Sequence, residues 1–399
     1  MASPVAAQLE YCKAAANISD LDEDLMLEII SRLVIKHMVS CKSVSKLWYR
    51  LISDVCIPRI TTLSPVSSII YNVLPLGETD QIGPWSFESI AKSTSTTTYL
   101  EDCFIGNNTL PFRPSPNDFL DCCNGLLLFV DPSSRQYYVC NPSTQQYHVF
   151  PEPPFDDSPK CGGALMFEPD SPNVSEPGYK VVTISRSPPR FYFFSLSFLP
   201  GGWYVYTLCF EPAILEASWN PRYVCFNGIL HCLSVSGHLL KFNVKGLLSC
   251  FKATKLPEIV SRDLPIGCLG VSCGNLHYSR SDQSSMMVWM LKVESADEWV
   301  LKHTICLQIF DQHPLCSNLL GSSWFSVFAF HPSSDMLIIG AENGIFCYDP
   351  NTKRLERSCS LRENKSICNG NHLVFPYSIK LTPLDASVQR MIDERRNNW

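Results

Sequence analysis

One short segment has the spacing that nucleophilic catalysis uses. Residues 270–274 read Gly-Val-Ser-Cys-Gly, the pattern in which a serine stands on a sharp strand-to-helix turn with its hydroxyl beside a histidine. The residues that follow, Asn275 to Tyr278, have the pattern of another strand. The segment is therefore interpreted as a β-turn between strands. A hydrolase built around Ser272 is kept as an alternative hypothesis.

The cysteines and histidines form no pattern typical of a metal or cofactor site. Among the 19 cysteines, no two have C-x₂-C spacing, and the closest pair, Cys122 and Cys123, is adjacent. Most cysteines lie inside apolar runs, where a thiol packs as a small hydrophobic group. The chain has no P-loop, no G-x-G-x-x-G and no H-E-x-x-H pattern. We predict no catalytic residue, no metal and no cofactor.

Composition restricts the classes of protein further. Hydrophobic residues make up 45% of the 399 residues and charged residues 18%, so a folded chain with a sizeable core is expected. The net charge of −6 and the lack of a sustained basic stretch argue against nucleic-acid binding. The N-terminus does not resemble a signal peptide, and no apolar run is long enough for a membrane helix. We expect a cytoplasmic and/or nuclear protein with reduced cysteines and no membrane partner.

The chain changes character near residue 56. Before it, two apolar stripes have helical spacing: Leu21, Leu25, Ile29 and Leu33, then Val44, Trp48, Leu51 and Ile52. Acidic residues crowd the first turn of the first stripe, where they favour a helix N-terminus. So small a module cannot bury enough surface to be stable alone. Its apolar faces should therefore meet another protein, or else cap the large domain that follows.

From about residue 60 to 383, short β-rich runs alternate with turn residues. A strand–turn–strand unit begins at Asn124, recurs at Asn227 and Gly274, and is recognisable in degenerate form from Leu337. The spacing indicates a unit of about 50 residues, which is typical of propeller blades. We predict a mainly β chain in which a small α module precedes a β-propeller-like domain of about six or seven blades. The rival architecture, two stacked sheets, gives no reason for an internal repeat.

The helical part resembles an F-box. The resemblance lies in residues 18–25 (Ile-Ser-Asp-Leu-Asp-Glu-Asp-Leu), 28–33 (Glu-Ile-Ile-Ser-Arg-Leu) and 41–53 (Cys-Lys-Ser-Val-Ser-Lys-Leu-Trp-Tyr-Arg-Leu-Ile-Ser). Asp22 and Val34 stand where the family commonly has proline. An acidic residue at the start of a helix is also favourable, so we expect the fold to be retained. The family uses an apolar contact at the position of Asp22 to bind its adaptor protein, so the loss of this contact is expected to weaken adaptor binding modestly.

The resemblance implies specific roles for residues of this module. By this resemblance, one set of residues contacts a Skp1-type adaptor, which in turn connects to a cullin-RING core: Leu21, Asp22, Ile29, Leu33 and Ser45. A second set lies in the core of the module or near its junction with the next domain: Leu25, Val44, Trp48, Leu51 and Ile52.

The β-rich part is similar to the F-box-associated, kelch-related interaction domain of plant F-box proteins. The segments that carry this resemblance are 123–128 (Cys-Asn-Gly-Leu-Leu-Leu), 139–144 (Val-Cys-Asn-Pro-Ser-Thr), 179–182 (Tyr-Lys-Val-Val) and 226–231 (Phe-Asn-Gly-Ile-Leu-His). The expected organisation is a flexible N-terminus (1–16), an F-box module (17–56), a substrate-recognition domain (57–383) and a C-terminal tail (384–399).

The resemblances imply a non-catalytic substrate-recognition subunit of an SCF-type ubiquitin ligase, with an unknown target protein as its second partner. The alternative is a propeller scaffold that binds a partner without a ligase role. Candidate target-binding loops are residues 106–118, 152–160, 169–178 and 311–323. Trp203, Trp219 and Trp324 are either hot spots for binding or parts of blade cores.

Overall fold

The computed structural model divides the chain into two compact units, Met1–Leu63 and Ser64–Trp399, which are described separately below. This division lies close to the predicted boundary between residues 56 and 57. The structure describes residues 22–33, 38, 41–56, 68–72, 74–75, 85–89, 98–99, 110–112, 118–142, 144–153, 162–167, 179–186, 189–195, 202–245, 248–257, 267–282, 284–292, 297–311, 313, 325–341, 344–360, 365–366, 374–377, 384, 388–390 and 392–393.

The first unit is helical. Its described elements are helix α1 (Glu23–Ser31), a 3₁₀-helix (Cys41–Ser43), helix α2 (Lys46–Arg50) and a π-helical turn (Leu51–Cys56). Asp22 caps α1, because its carboxylate accepts the backbone N–H of Asp24 at 2.6 Å. Ser45 caps α2 in the same way, with its hydroxyl accepting the N–H of Trp48 at 3.2 Å.

A small apolar core holds these helices together. Its buried members are Met26, Ile30, Met38, Trp48, Leu51, Ile52 and Cys56. Trp48, Leu51 and Ile52 were placed in or near the core by the sequence, and all three are buried.

The expected core positions of Leu25 and Val44 need correction. Leu25 is 53% exposed and Val44 is 59% exposed. Four residues turn a 3.6-residue helix by about 400°, so a stripe of every fourth residue drifts around the helix instead of following one face. The buried face of α1 belongs instead to Met26 and Ile30. Val44 lies in the turn that precedes the cap of α2, outside regular helix.

The second unit is built from β-strands. Its first four strands are β1 (Ser68–Asn72), β2 (Leu74–Pro75), β3 (Trp85–Ser89) and β4 (Thr98–Tyr99). Blade 1 contains β5 (Phe119–Cys123), β6 (Leu126–Val130), β7 (Tyr137–Asn141) and β8 (Gln146–Phe150). Blade 2 contains β9 (Gly162–Phe167), β10 (Tyr179–Arg186), β11 (Pro189–Ser195) and β12 (Gly202–Thr207). Helix α3 (Pro212–Glu216) follows it.

Three more blades complete the series. Blade 3 contains β13 (Trp219–Phe226), β14 (Ile229–Ser234), β15 (His238–Lys245) and β16 (Leu248–Lys255). Blade 4 contains β17 (Cys268–Ser272), β18 (Asn275–Ser281), β19 (Ser285–Lys292) and β20 (Glu298–Cys306), and helix α4 (Gln308–Asp311) follows it. Blade 5 contains β21 (Ser326–Phe330), β22 (Leu337–Ala341), β23 (Gly344–Asp349) and β24 (Arg354–Ser360). The last strands are β25 (Lys365–Ser366) and β26 (Val374–Tyr377).

The sheets close into a ring. Each of the five blades consists of four consecutive antiparallel strands, and a further four-stranded sheet has the order β26-β1-β3-β4. This closing sheet joins the two ends of the β-rich region, while β2 pairs with β25. The innermost strands touch their neighbours in the circular order β26, β5, β9, β13, β17, β21 and back to β26. The second unit is therefore a β-propeller, as the sequence predicted.

The blade number differs from the expected six or seven. Five blades have the consecutive-strand pattern that produces a sequence repeat. The closing sheet takes its innermost strand from the far end of the chain, so its pairing of β1 with β26 produces no local repeat.

Two-residue turns explain the repeat seen in the sequence. Asn124-Gly125, Asn227-Gly228 and Cys273-Gly274 all have positive φ, between 46° and 74°. Each connects the first and second strands of a blade, where such turns match the twist of an antiparallel hairpin.

The predicted C-terminal tail (384–399) is also corrected. Leu384, Val388 and Ile392 are buried in a hydrophobic cluster formed with residues of blades 1 and 2. The side chain of Gln389 accepts the N–H of Val149 at 2.7 Å and donates to its carbonyl at 3.4 Å, so it pairs with edge strand β8. Residues 1–16, expected to be flexible, lie outside the described residues.

Candidate functional site

The helical unit exposes several large apolar side chains. Leu25 is 53% exposed, Ile29 43%, Val44 59% and Tyr49 57%. Leu25 and Ile29 lie one turn apart on α1, whereas Val44 precedes α2 and Tyr49 belongs to it. These four residues are called the helical apolar surface below. A folded unit gains nothing from exposing such groups to water, so this surface is a candidate for contact with another protein.

Polar contacts hold the elements that carry this surface. An ion pair of 2.5 Å between Glu23 and Arg50 links the first turn of α1 to the end of α2. The Lys42 amine lies 5.6 Å from the centre of the Tyr49 ring. Partial burial lowers the pKa of Lys42, and the negative charge of Asp54 opposes this shift. The two helices are thus adjacent, with charged groups beside the exposed apolar ones.

The residues predicted to face the adaptor have different environments. Ile29 is exposed, as a contact residue should be. Asp22 and Ser45 are also exposed, but each caps a helix. Leu33 is half-buried and packs against the core of the unit. Leu21 lies outside the described residues.

Sequence reasoning missed three members of the helical apolar surface. Leu25 and Val44 were assigned to the core, and Tyr49 was assigned no role. The helical phase contained the signal for Leu25, because Met26 and Ile30 share one face of α1 and Leu25 points away from it. The exposure of Tyr49 follows in the same way, because the adjacent Trp48 takes the buried face of α2.

Ser272 does not occupy a nucleophile elbow. The strands before and after the Cys273-Gly274 turn pair antiparallel, with Ser272 opposite Asn275. The Ser272 side chain is 2% exposed, and its hydroxyl donates to the carbonyl of Ser334 at 2.9 Å. The segment is a hairpin turn, as interpreted from the sequence, and the serine hydroxyl satisfies a backbone carbonyl of blade 5.

Two of the three tryptophans considered as binding hot spots, Trp203 and Trp219, pack inside the propeller. Trp203 is 6% exposed, and its indole N–H donates to the carbonyl of Pro151 at 2.9 Å. Trp219 packs against a hydrophobic cluster of blades 2 and 3 and donates to the carbonyl of Ile214 at 2.8 Å. Trp324 lies outside the described residues, as do most positions of the four candidate loops.

No metal site is found within the described ranges, where no three His, Cys, Asp or Glu side chains are grouped to hold an ion. The described cysteines are free thiols. No described helix is long and apolar enough to cross a membrane.

Comparison with known proteins gives a match for the helical unit. Residues 18–60 match the family model of the F-box domain. The Arabidopsis thaliana F-box protein At5g03970 is 27% identical over 252 residues, which cover 60% of this chain and 58% of that protein. The Arabidopsis F-box protein At5g49610 is 30% identical over 131 residues, covering 33% of this chain and 32% of that protein. The chain therefore spans less than two thirds of the length of these relatives.

Solved structures give only a distant likeness. The WD40 domain of SCAP from fission yeast has a TM-score of 0.38 at 12% identity, over 61% of this chain and 52% of that one. The propeller assignment rests instead on the strand pairing described above. The first unit therefore contains an F-box domain, which precedes a β-propeller, and parts of the chain are similar to Arabidopsis F-box proteins.

Proposed function

We propose that this chain is the substrate-recognition subunit of an SCF-type ubiquitin ligase. In this proposal the F-box unit binds a Skp1-type adaptor, and the propeller binds the protein to be ubiquitinated. F-box proteins generally act in this way, and the match of residues 18–60 supports the same role here. The single observation that carries the proposal is the helical apolar surface, which offers a docking site on the F-box unit.

The energetics favour a partner on this surface. Burying one large apolar side chain contributes about 1.5–3 kcal/mol, so covering Leu25, Ile29 and Val44 would contribute several kcal/mol. The eight large hydrophobic side chains found exposed among the described residues include four in this small unit. The buried core found among the described residues of the unit is small, which leaves the unit little stability of its own. Adaptor binding would therefore stabilise the unit as well as recruit the ligase.

The chain has a non-catalytic role in this proposal. Ubiquitin transfer is performed by other subunits, and the chain contributes proximity by holding a target lysine near the charged ubiquitin carrier. The propeller is inferred to be the F-box-associated, kelch-like recognition domain, on the four segments that resemble it. The cytosol and the nucleus are the proposed sites of action, since ligases of this kind are intracellular.

Co-expression with a Skp1-type subunit tests the adaptor contact. The wild-type chain should form a stable stoichiometric complex, measured by size-exclusion chromatography with light scattering. Ile29→Asp should abolish the complex, because it places a charge against an apolar partner surface. Leu301→Asp is the matched control, because Leu301 is similarly exposed (51%, against 43% for Ile29) but lies on the propeller. Retention of the complex by Ile29→Asp, or its loss in Leu301→Asp, would contradict the proposed docking surface.

Substitutions at the proposed adaptor contacts differ in how well they separate binding from folding. These contacts are Leu21, Asp22, Ile29, Leu33 and Ser45. Leu33→Asp is a poor probe because Leu33 packs on the core, so loss of binding could reflect unfolding. Asp22→Ala and Ser45→Ala each remove a helix cap as well as a candidate contact. Ile29→Asp separates docking from folding most cleanly.

A scaffold without a ligase role remains the alternative outcome. Proximity labelling under proteasome inhibition, with wild type and with Ile29→Asp, distinguishes the two. A ligase receptor should have partners that are ubiquitinated with the wild type and accumulate unmodified with the variant. Partners whose abundance and ubiquitination do not differ between the two would support the scaffold.

A further inference from the structure

Three innermost strands of the propeller contain irregularities in their pairing. In β5 the register shifts between Phe119 and Asp121, in β13 between Trp219 and Tyr223, and in β21 between Val327 and Ala329. These strands belong to blades 1, 3 and 5, which alternate around the ring. Bulges re-aim side chains and are frequent beside functional sites. The residues at these irregularities include Asp121, Arg222 and Phe328.

The Arg222 side chain reaches from blade 3 to the innermost strands of other sheets of the ring. It starts from blade 3, and its Nη1 donates to the carbonyl of Phe328 in blade 5 at 2.8 Å. The same nitrogen lies 3.9 Å from the Cys268 Sγ of blade 4. The guanidinium carbon lies 5.4 Å from the centre of the Phe375 ring, in the closing sheet. One side chain thus contacts the innermost strands of three other sheets, so its guanidinium lies among the strands that surround the centre of the ring.

Most of the hydrogen-bonding capacity of this guanidinium is unused. Arginine carries five side-chain N–H donors. In the part of the chain that the structure describes, the Arg222 side chain donates only through Nη1, to Phe328 and weakly to Cys268. Arg222 is half-buried, so its remaining donors retain limited access to water. Such a preformed planar fork matches the two oxygens of a carboxylate.

Asp121 lies within electrostatic range of Arg222 but does not saturate it. One Asp121 oxygen accepts the N–H of Cys122 at 2.8 Å, and the other accepts the N–H of Leu165 at 2.8 Å. Both oxygens are therefore bound to backbone, and no hydrogen bond joins Asp121 to Arg222 in the described structure. The guanidinium of Arg222 therefore keeps N–H donors that can bind a ligand. The negative charge of Asp121 disfavours a ligand that carries two negative charges.

We propose that Arg222 anchors a binding site in the propeller channel for a ligand that presents a single carboxylate group. The fork of Arg222 binds the two carboxylate oxygens, while the Phe375 ring lies against the guanidinium and orients it. The carboxylate belongs either to a free small acid or to an acidic side chain of a protein bound at the mouth of the channel. This site is separate from the helical apolar surface and does not depend on adaptor binding.

The site predicts a proton linkage. Burial raises the pKa of Asp121 to about 7, while backbone hydrogen bonds and the charge of Arg222 oppose this shift. A bound carboxylate offsets the charge of Arg222, so it favours the protonated form of Asp121. Two further ionisable neighbours among the described residues are thiols that stay neutral, because burial raises the pKa of Cys268 to about 11 and that of Cys122 well above its usual value. Ligand affinity should therefore fall as pH rises from 6 to 8.

Saturation-transfer NMR titrations on the full chain test the site. The probes are acetate, benzoate, inorganic phosphate and a capped Gly-Glu-Gly peptide, at constant ionic strength. The proposal expects saturable binding of at least one carboxylate probe, in preference to phosphate at pH 8. Binding of acetate or benzoate alone identifies a free acid as the source of the carboxylate. Binding of the peptide identifies an acidic side chain as its source.

Matched variants decide whether Arg222 is responsible. Arg222→Gln should weaken carboxylate binding at least tenfold, and Arg222→Lys, which keeps the charge without the fork, should weaken it less. Arg354→Gln is the control, because Arg354 lies on the outer strand of blade 5 and pairs with Glu356. Equal affinity of the wild type and Arg222→Gln, with unchanged thermal unfolding, would overturn the proposal, as would no saturable binding of any probe. Ile29→Asp should leave this binding unchanged, so failure here is distinguishable from failure of the adaptor proposal.

Discussion

The two units of this protein handle apolar surface in opposite ways. Among its described residues, the F-box unit buries seven apolar side chains and exposes four large ones on α1, α2 and the turn between them. The propeller closes its sheets into a ring, so each innermost strand contacts two neighbours and the cores between blades are sealed. A unit that leaves apolar surface exposed is suited to permanent association. A sealed unit can instead vary its loops and channel without losing its fold.

The comparison also separates two sources of stability. The F-box unit depends on a few side chains, so one substitution can remove much of its core. The propeller distributes its stability over several clusters that bridge adjacent sheets, and its closing sheet joins distant parts of the chain.

Trp48→Ala should unfold the F-box unit and leave the propeller folded. Trp48 is 8% exposed in a core of seven residues, and removal of a buried tryptophan costs about 3–5 kcal/mol. Limited proteolysis followed by mass spectrometry should show rapid cleavage before residue 64 and protection after it. Tyr49→Ala, at the neighbouring exposed position, should keep the wild-type pattern. Equal protection of the two variants would show that the unit does not depend on this core.

Ile392→Ala should destabilise the propeller from its C-terminal end. Ile392 is 1% exposed and packs with residues of blades 1 and 2, so its truncation should cost about 2–5 kcal/mol. The midpoint of thermal unfolding, followed by circular dichroism, should fall by several degrees. Arg390→Ala is the control, because Arg390 is exposed two residues away. An unchanged midpoint for Ile392→Ala would show that the packing of this residue contributes little to the stability of the propeller.

Gly340→Ala should show how tightly blade 5 is packed. A Cβ at Gly340 would lie 1.8 Å from an atom of the Phe328 ring, so the ring must move. We expect a loss of about 1–3 kcal/mol in the free energy of unfolding, measured by urea denaturation. Gly274→Ala meets no atom within 4 Å and costs only its left-handed backbone strain, about 1 kcal/mol. A larger loss for Gly274→Ala than for Gly340→Ala would contradict the tight packing around Phe328.

Asp121 should make propeller stability depend on pH. Its folded pKa of about 7 lies above the value of about 3.9 for an unfolded aspartate, so the folded state retains this proton over the interval between them. The contribution of Asp121 to stability is therefore full below pH 4 and is lost as pH rises to 7. The slope is at most about 1.4 kcal/mol per pH unit. Unfolding curves at pH 5, 6, 7 and 8 should show this loss in the wild type.

Asp121→Asn is the matched comparison for this titration. The variant cannot ionise, so the difference in unfolding free energy between wild type and variant should change between pH 5 and 7 and be constant above pH 8. A difference that is the same at every pH would mean that another group causes the dependence.

Much of the architecture was predictable because it is encoded locally. The Asn-Gly turns at 124 and 227 fix hairpins through positive φ, so the blade repeat could be recognised from short segments. The acidic start of α1 and the Ser45 cap likewise depend on neighbouring residues. The F-box resemblance placed Trp48 in the core, where it is buried, but it also placed Leu25 and Val44 there. Leu25 is on the outward side of α1, and Val44 lies in a turn before α2.

The features that were missed depend on contacts between distant residues. The pairing of β1 with β26 joins Ser68 to Tyr377 and closes the ring without any local repeat. The docking of Gln389 on Val149 turned an expected tail into part of the fold. The channel cluster brings Arg222 to Phe328 from different blades, and no sequence spacing connects them.

The kind of elements, the division into a helical and a β-rich unit, and the F-box resemblance could all be recognised in the amino-acid sequence. These depend on short-range preferences for turns, caps and hydrophobic periodicity. The folded structure was needed to identify the outward-facing residues of α1, the closure of the ring and the charged groups that meet near its centre. Those outcomes depend on the packing of segments far apart in the chain, whose geometry a local pattern does not specify.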